Sequence, residues 1–409
     1  MESVLFLRDE ADFEFVVVDN NSTDATPDIV RAYEGLAKYV FEGKTSFTAA
    51  RRAGGINATG DILLYLDDDV IVRPGSLTHI AEIFSSYPDC GVIAGHIDAK
   101  FTEDPPAWTL ACQKSFNGWS LFNKDTCNFV HTDFQEVPWA AGPMMAIRKS
   151  AYDRAGGFPP DTVGVETNRG AKTFNKLYIG PGDYGLCEKI RRIGLKVYYC
   201  KSVAVFHLIP PVRFTIAFWR SRMFGEGYHA ATTQRGFFGL TRVEAKRARL
   251  RAQLHFLQYE DRLLERLATG NYPRNGISPD ELWVLYYKAY LDMDHVLRRY
   301  PLLWKTLWDI GDTGIDDENY HRVMSMIPPE YKALVANDLV YDPLPLTSVM
   351  DYERIIASRG FAGKDIPTAV RSRAGRKTAT LIIKALGFRG SLAGGLKRRF
   401  KCARTTSNE

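Results

Sequence analysis

Two short runs of branched apolar residues, each ending on carboxylates, constrain the fold of this chain most. Phe13–Asp19 reads FEFVVVD and breaks into the polar cluster NNSTDATPD, while Asp61–Leu66 reads DILLYL and runs directly into Asp67, Asp68 and Asp69. A β-branched run that stops at a polar cluster is a buried strand entering a loop. Pro27 suits the first turn of a helix, and Thr48–Asn57 predicts a second, short helix with glycines towards its end. Beyond the acidic cluster, Pro74–Ser85 predicts a helix and Cys90–His96 a further strand. Strands alternating with helices at these spacings predict an α/β, Rossmann-like domain with a mostly parallel sheet. Ligands bind such sheets at the carboxyl ends of the strands, where Asp19 and the Asp67–Asp69 cluster both fall.

The pattern changes after residue 238. Thr241 and Glu244 form a capping-box signal opening a charged helix to about Thr269, and Ser278 with Glu281 repeats it for a helix to about Tyr300. The expected organisation is an α/β domain over 1–237, a helical region over 238–363 and a basic, partly amphipathic tail over 364–409. Lys364–Arg404 holds twelve Lys/Arg and one acid; without that stretch and Glu409 the chain carries 41 basic and 46 acidic residues, a net of −5. Within the tail, TLIIKALGF (380–388) is flanked by cations, and each basic residue near an anionic membrane surface adds about 1 kcal/mol of attraction. A solvated tail and non-specific nucleic-acid contact are the competing readings, and no specific nucleic-acid motif accompanies the charge. No run approaches the roughly 18 apolar residues that span a bilayer. The start lacks the basic, apolar and small-residue order of a signal peptide. Six cysteines without a CxxC pair or zinc spacing read as reduced thiols, so the cytoplasm, or the inner face of the membrane, is the expected compartment.

Taken alone, the LDDDV cluster at 66–70 has two readings. Asp67 and Asp69, at i and i+2 on a strand exit, can converge on one hard divalent cation, Mg²⁺ or Mn²⁺, that keeps open positions for phosphate oxygens. A solvated acidic turn is the alternative.

The order of motifs carries more than any one of them. VVVDNNSTD, then ARRAGG at 50–55, then LYLDDD resemble the nucleotide-binding half of the family 2 type, inverting glycosyltransferases with the GT-A fold. Arg52 stands where that family often has Asn. Downstream, AAGPMMAIRKSAYDRAGGF (140–158) is similar to the floor of the family's acceptor pocket, and GDYGLCEKIRRIG (182–194) to its acidic motif before Leu and Arg-x-x-Gly. Aligning on Leu186, Arg191 and Gly194 puts Asp183 at the catalytic-base position, with Gly182 and Gly185 where acids are frequent. The resemblance covers about residues 13–235.

It implies transfer of a sugar from a nucleotide-sugar donor, with a UDP-sugar favoured, to a glycan or lipid-linked acceptor. Asp183 would accept the acceptor hydroxyl's proton, and a metal on Asp67, Asp69 and His207 would neutralise the leaving diphosphate. Asp19, Asn21, Asp24, Arg51 and Asp67 would contact the nucleotide. Trp139, Gly142 and Arg222, with Trp219 nearby in sequence, would line the acceptor side, although each tryptophan reads more readily as core. The family's first strand, typically VSVIIPTYN, has no counterpart before Phe13, so either the start lies downstream of the real one or the sheet lacks a central strand. A nucleotidyltransferase, which would need a glycine-rich phosphate loop, and a degenerate nucleotide- or sugar-binding module are the competing readings.

Overall fold

A computed structural model describes residues 1–161, 163–166, 174–177 and 180–313, with a few positions between 322 and 352. The basic tail over 364–409, expected at a membrane surface, lies outside the described residues.

Helix α1 (Glu2–Leu5) and a 3₁₀ turn (Phe6–Asp9) place Leu7 in the core. Strand β1 (Val16–Asp19) leads through α2 (Thr26–Arg31) to β2 (Lys38–Phe41), and the two pair in parallel as a small sheet. Next comes α3 (Phe47–Asn57), whose first turn is capped by Ser46 Oγ accepting from the Ala49 N–H. Asn20 fixes where that helix begins: its amide donates to Glu42 and Lys44 carbonyls and its oxygen accepts from the Ser46 N–H. The main sheet contains β3 (Ile62–Leu66), β4 (Val70–Val72), β5 (Cys90–Phe101), β6 (Phe134–Glu136), β7 (Met144–Arg148) and β10 (Lys196–Ile209). Helices α4 (Ser76–Ser86), α5 (Ala107–Ser115), α6 (Lys149–Ala155) and α7 (Gly182–Arg192) connect them, and β8 (Val163–Glu166) pairs with β9 (Phe174–Leu177). The Glu10 carboxylate accepts from the Gly75 and Leu77 N–H groups at the start of α4.

The order across the main sheet is β3-β7-β5-β10-β4, with β6 also on β10. The expected α/β class stands, and β3, β5 and β10 share one direction, with β5 and β10 directly parallel. Strands β4, β6 and β7 run against them. Connection length explains the reversal of β4: only residues 67–69 separate it from β3, and a parallel crossover needs about a dozen residues. That reversal makes the acidic cluster a turn at the sheet's carboxyl edge.

Among the described residues no ladder joins β1 to β3. Helix α3 spans the division instead. A methyl group at Gly54 would touch Val18 of β1 at 3.5 Å and Tyr65 of β3 at 4.0 Å. Glu14, just before β1, accepts from the N–H groups of Thr59 and Gly60, just before β3. The two sheets are thus held together by a helix near the carboxyl ends of β1 and β3 and by a side chain at their amino ends.

Two apolar cores follow. One surrounds the main sheet and includes Ile93, Met144, Leu186 and Val205; the other lies among α8 (Ile216–Gly236), α9 (Arg242–Ala268), α10 (Pro279–Arg299) and α11 (Pro301–Thr313). Both capping signals are realised: Thr241 and Glu244 close a reciprocal box on α9, and Ser278 Oγ caps α10. Cys90, Cys112, Cys127, Cys187 and Cys200 are buried free thiols, as expected. Helices α8 and α10 are fastened by Arg220 Nε and Glu281 Oε1, 2.7 Å apart, with side chains 2% and 5% exposed. Removing one partner strands a buried charge, so Glu281→Ala should lower unfolding free energy by about 3–5 kcal/mol. Urea denaturation checks this; a loss below about 1 kcal/mol would mean the pair is hydrated.

Candidate functional site

Asp19, the last residue of β1, is buried and accepts from the Ser22 N–H at 2.9 Å and the Tyr39 hydroxyl at 2.7 Å. Burial works to raise its pKa, but the hydrogen bonds from Ser22 and Tyr39 outweigh that and hold the carboxyl below its ordinary value. The loop beyond turns through Asn21 at φ 61°, a left-handed conformation that Asn tolerates, and its amide reaches Thr45. Asp24 accepts from the Thr26 N–H and hydroxyl at the start of α2.

Arg51, one turn into α3, is the hub. Its side chain is 8% exposed and its guanidinium lies 3.8 Å from the centre of the Phe47 ring. One nitrogen reaches Asp67 Oδ1 at 3.1 Å and another pairs with Asp183 Oδ1. The second Asp183 oxygen accepts from the Gly142 N–H at 2.8 Å. A cation this buried is costly unless charged partners surround it, and two carboxylates with an aromatic face meet that requirement. Asp67 and Asp183 are 116 positions apart in sequence, yet one side chain spans them.

Asp69 turns the other way. Its Oδ2 lies 3.1 Å from His207 Nε2 and 2.9 Å from Arg213 Nη2. Burial raises the Asp69 pKa, but the hydrogen bond and charge of His207, with Arg213, more than offset it and keep the carboxyl below its ordinary value. Asp68 between them goes the other way: burial, then the charge of Asp69, pushes it up. His207 Nδ1 is 2.9 Å from the Trp119 carbonyl, which only accepts, so Nδ1 carries a proton. Arg213 Nη1 lies 3.1 Å from His207 Nε2.

The sequence of residues 1–156 matches the family model described as Glycosyl transferase family 2. Over that stretch the chain is similar to family 2 glycosyltransferases. An uncharacterized glycosyltransferase of Nostoc sp., alr2836, is 33% identical over 92 residues, which are 22% of this chain and 28% of that protein. A validoxylamine A glucosyltransferase of Streptomyces hygroscopicus subsp. jinggangensis is 42% identical over 67 residues, 15% of this chain and 16% of that one. A glucosyl-dolichyl phosphate glucuronosyltransferase of Haloferax volcanii is 21% identical over 238 residues, 56% of this chain and 69% of that one. The chain therefore matches less than a third of the length of the first two relatives.

The stretch matched by the family model contains Asp19, Asn21, Asp24, Arg51, Asp67, Asp69, Trp139 and Gly142, whereas Asp183, His207 and Arg222 lie beyond it. The structure brings Arg51, Asp67, Gly142 and Asp183 together, and Asp69 with His207. The expected metal set is divided: Asp67 meets Arg51 while Asp69 meets His207 and Arg213, and no group of three candidate ligands assembles among the described residues. The cause is the arginine on each side, which gives each carboxylate its own cation. Trp139 packs against Phe122 and Phe129, with ring centres 5.1 and 6.2 Å away, and Trp219 is fully buried against Trp119. Arg222 pairs with Glu226 at 3.0 Å on the exposed side of α8.

Sequence reasoning missed Arg213 and Tyr39, whose only signals are a cation shortly after a strand and a tyrosine within one. The N–H of Gly142, a residue expected on the acceptor side, donates to Asp183. A Cβ at 142 would collide with the Arg51 guanidinium and stand 2.6 Å from Asp183 Oδ2. Gly142→Ala should therefore cost about 1–3 kcal/mol of stability by overpacking. Chemical denaturation checks this, and an unchanged midpoint would contradict the placement of Arg51.

Proposed function

We propose that the chain transfers a sugar from a nucleotide diphosphate donor, with a UDP-sugar favoured, to a hydroxyl of a glycan or lipid-linked acceptor, inverting the anomeric centre. The observation that carries this reading is the Arg51 bridge, which puts the candidate base Asp183 within one guanidinium of the acidic turn. Asp183 would take the proton of the acceptor hydroxyl as its oxygen bonds to the anomeric carbon and the bond to the diphosphate breaks. The departing diphosphate is anionic, so it competes with both carboxylates for Arg51 and Arg213. Capture of Arg51 by the donor would free Asp183 Oδ1, so that the base is released only when a donor is present. Asp19, Asn21 and Asp24, on the loop after β1, are assigned to the nucleoside. Trp139 and Arg222 stay assigned to the acceptor.

The donor chemistry of Asp69 and His207 fits Mg²⁺ or Mn²⁺: a carboxylate oxygen and an imidazole nitrogen whose other ring nitrogen is fixed by a carbonyl. Asp67 would join them on leaving Arg51. Such an ion supplies charge neutralisation for the leaving diphosphate.

With a panel of nucleotide sugars, binding should strengthen with Mn²⁺ or Mg²⁺, and Asp69→Asn should remove that dependence. Asp183→Asn should lower turnover by about 10²–10⁴-fold while leaving nucleotide affinity within about threefold. Metal-independent or absent nucleotide binding contradicts the reading; binding without any transfer favours a non-catalytic module. The basic segment 364–404, with its twelve cations, is assigned to an anionic membrane surface. A chain ending at residue 363 should lose flotation with anionic liposomes, and unchanged flotation rejects that role.

A further inference from the structure

The turn into α7 is built around an absent side chain. Gly182 has φ 42°, in the left-handed region, and a Cβ on it would collide with the carboxylate of Asp161, whose Cγ would lie 2.7 Å away. Asp161 therefore occupies the volume that a side chain at 182 would fill, one residue from Asp183. The segment leading to Asp161 is clamped from two helices: Arg52 Nε donates to the Phe158 carbonyl at 2.8 Å and Lys189 Nζ to the Gly157 carbonyl at 2.7 Å. Pro159 closes against the first turn of α7, where a Cβ at Gly185 would meet its ring at 2.6 Å. Asp161 itself is 8% exposed, and its Oδ1 lies 2.7 Å from His229 Nε2 on α8. A buried carboxylate survives because it is paired.

We propose that Asp161, held by His229, is a positioning residue for Asp183: it supplies, from a separate segment, the second carboxylate beside the base and sets the first turn of α7. This rests on Asp183 being the base. The pair also ties that turn to α8, whose Arg222, Glu226 and His229 follow one another at helical spacing along one face. The charges around His229 agree. Burial lowers its pKa, but the charge and hydrogen bond of Asp161, with Glu226, outweigh that and the opposing Arg222, and raise it above 6.5.

The test compares Asp161→Asn, His229→Ala and His229→Gln with Asp183→Asn, all in the full chain and with the donor that the wild type uses. Asp161→Asn preserves shape and removes charge; it should lower kcat at least tenfold with the donor KM within twofold and nearly unchanged thermal unfolding. His229→Ala should match it, and His229→Gln, whose amide can still donate to Asp161, should recover more than half of the rate. A wild-type kcat in Asp161→Asn, or a loss that follows only the folded fraction, overturns the inference. If Asp183→Asn is inactive while Asp161→Asn is not, positioning alone fails; if Asp183→Asn transfers normally, the base assignment itself fails. Backbone amide NMR of Asp183–Gly185 reads the turn without turnover: shifts in Asp161→Asn are expected, and unchanged signals overturn the proposal.

Discussion

The site depends on one buried guanidinium. Arg51 lies between Asp67, at the end of β3, and Asp183, at the start of α7, and neither carboxylate would be stable so close to the other without it. Two like charges drawn to one site repel each other, and a cation between them offsets that repulsion. The same guanidinium packs on Phe47 and leaves no room for a side chain at 142, so helix, floor and acids are set by one residue. Because α3 also spans the break between the two sheets, the position of Arg51 reports directly on the joint between them.

A second arginine repeats the device. Arg213 places two nitrogens within hydrogen-bond distance of Asp69 and His207. Asp67 and Asp69, at the two ends of the acidic turn, are thereby each paired with an arginine. Asp68, between the two arginine-served acids, has neither partner to itself, and burial with its neighbours' charge pushes its carboxyl upward.

Much of this was legible in the sequence. The runs VVVD and ILLYL became β1 and β3 because branched apolar residues bounded by polar clusters leave few alternatives. Thr241 with Glu244 and Ser278 with Glu281 placed α9 and α10 to within a residue or two, since caps are local chemistry. Strand direction was less legible: spacing suggested a largely parallel sheet, whereas the three-residue link after β3 turns β4 back. The partners of the acids were not legible at all. Arg213 is 144 positions from Asp69, and His229 is 68 from Asp161; no local pattern encodes a meeting set by the path of the whole chain. Gly182 illustrates this best, because its lack of a side chain read as a departure until the carboxylate of Asp161 was found in that space.

The central claim is that one carboxylate, Asp183, acts on the acceptor while arginines and a metal draw off the diphosphate, in a single displacement. The most direct test is the anomeric configuration of the first-formed product, read by ¹H NMR from the coupling constant of its anomeric proton against that of the donor. Inversion is the predicted result. Retention would require a second displacement on the same carbon and would contradict the account.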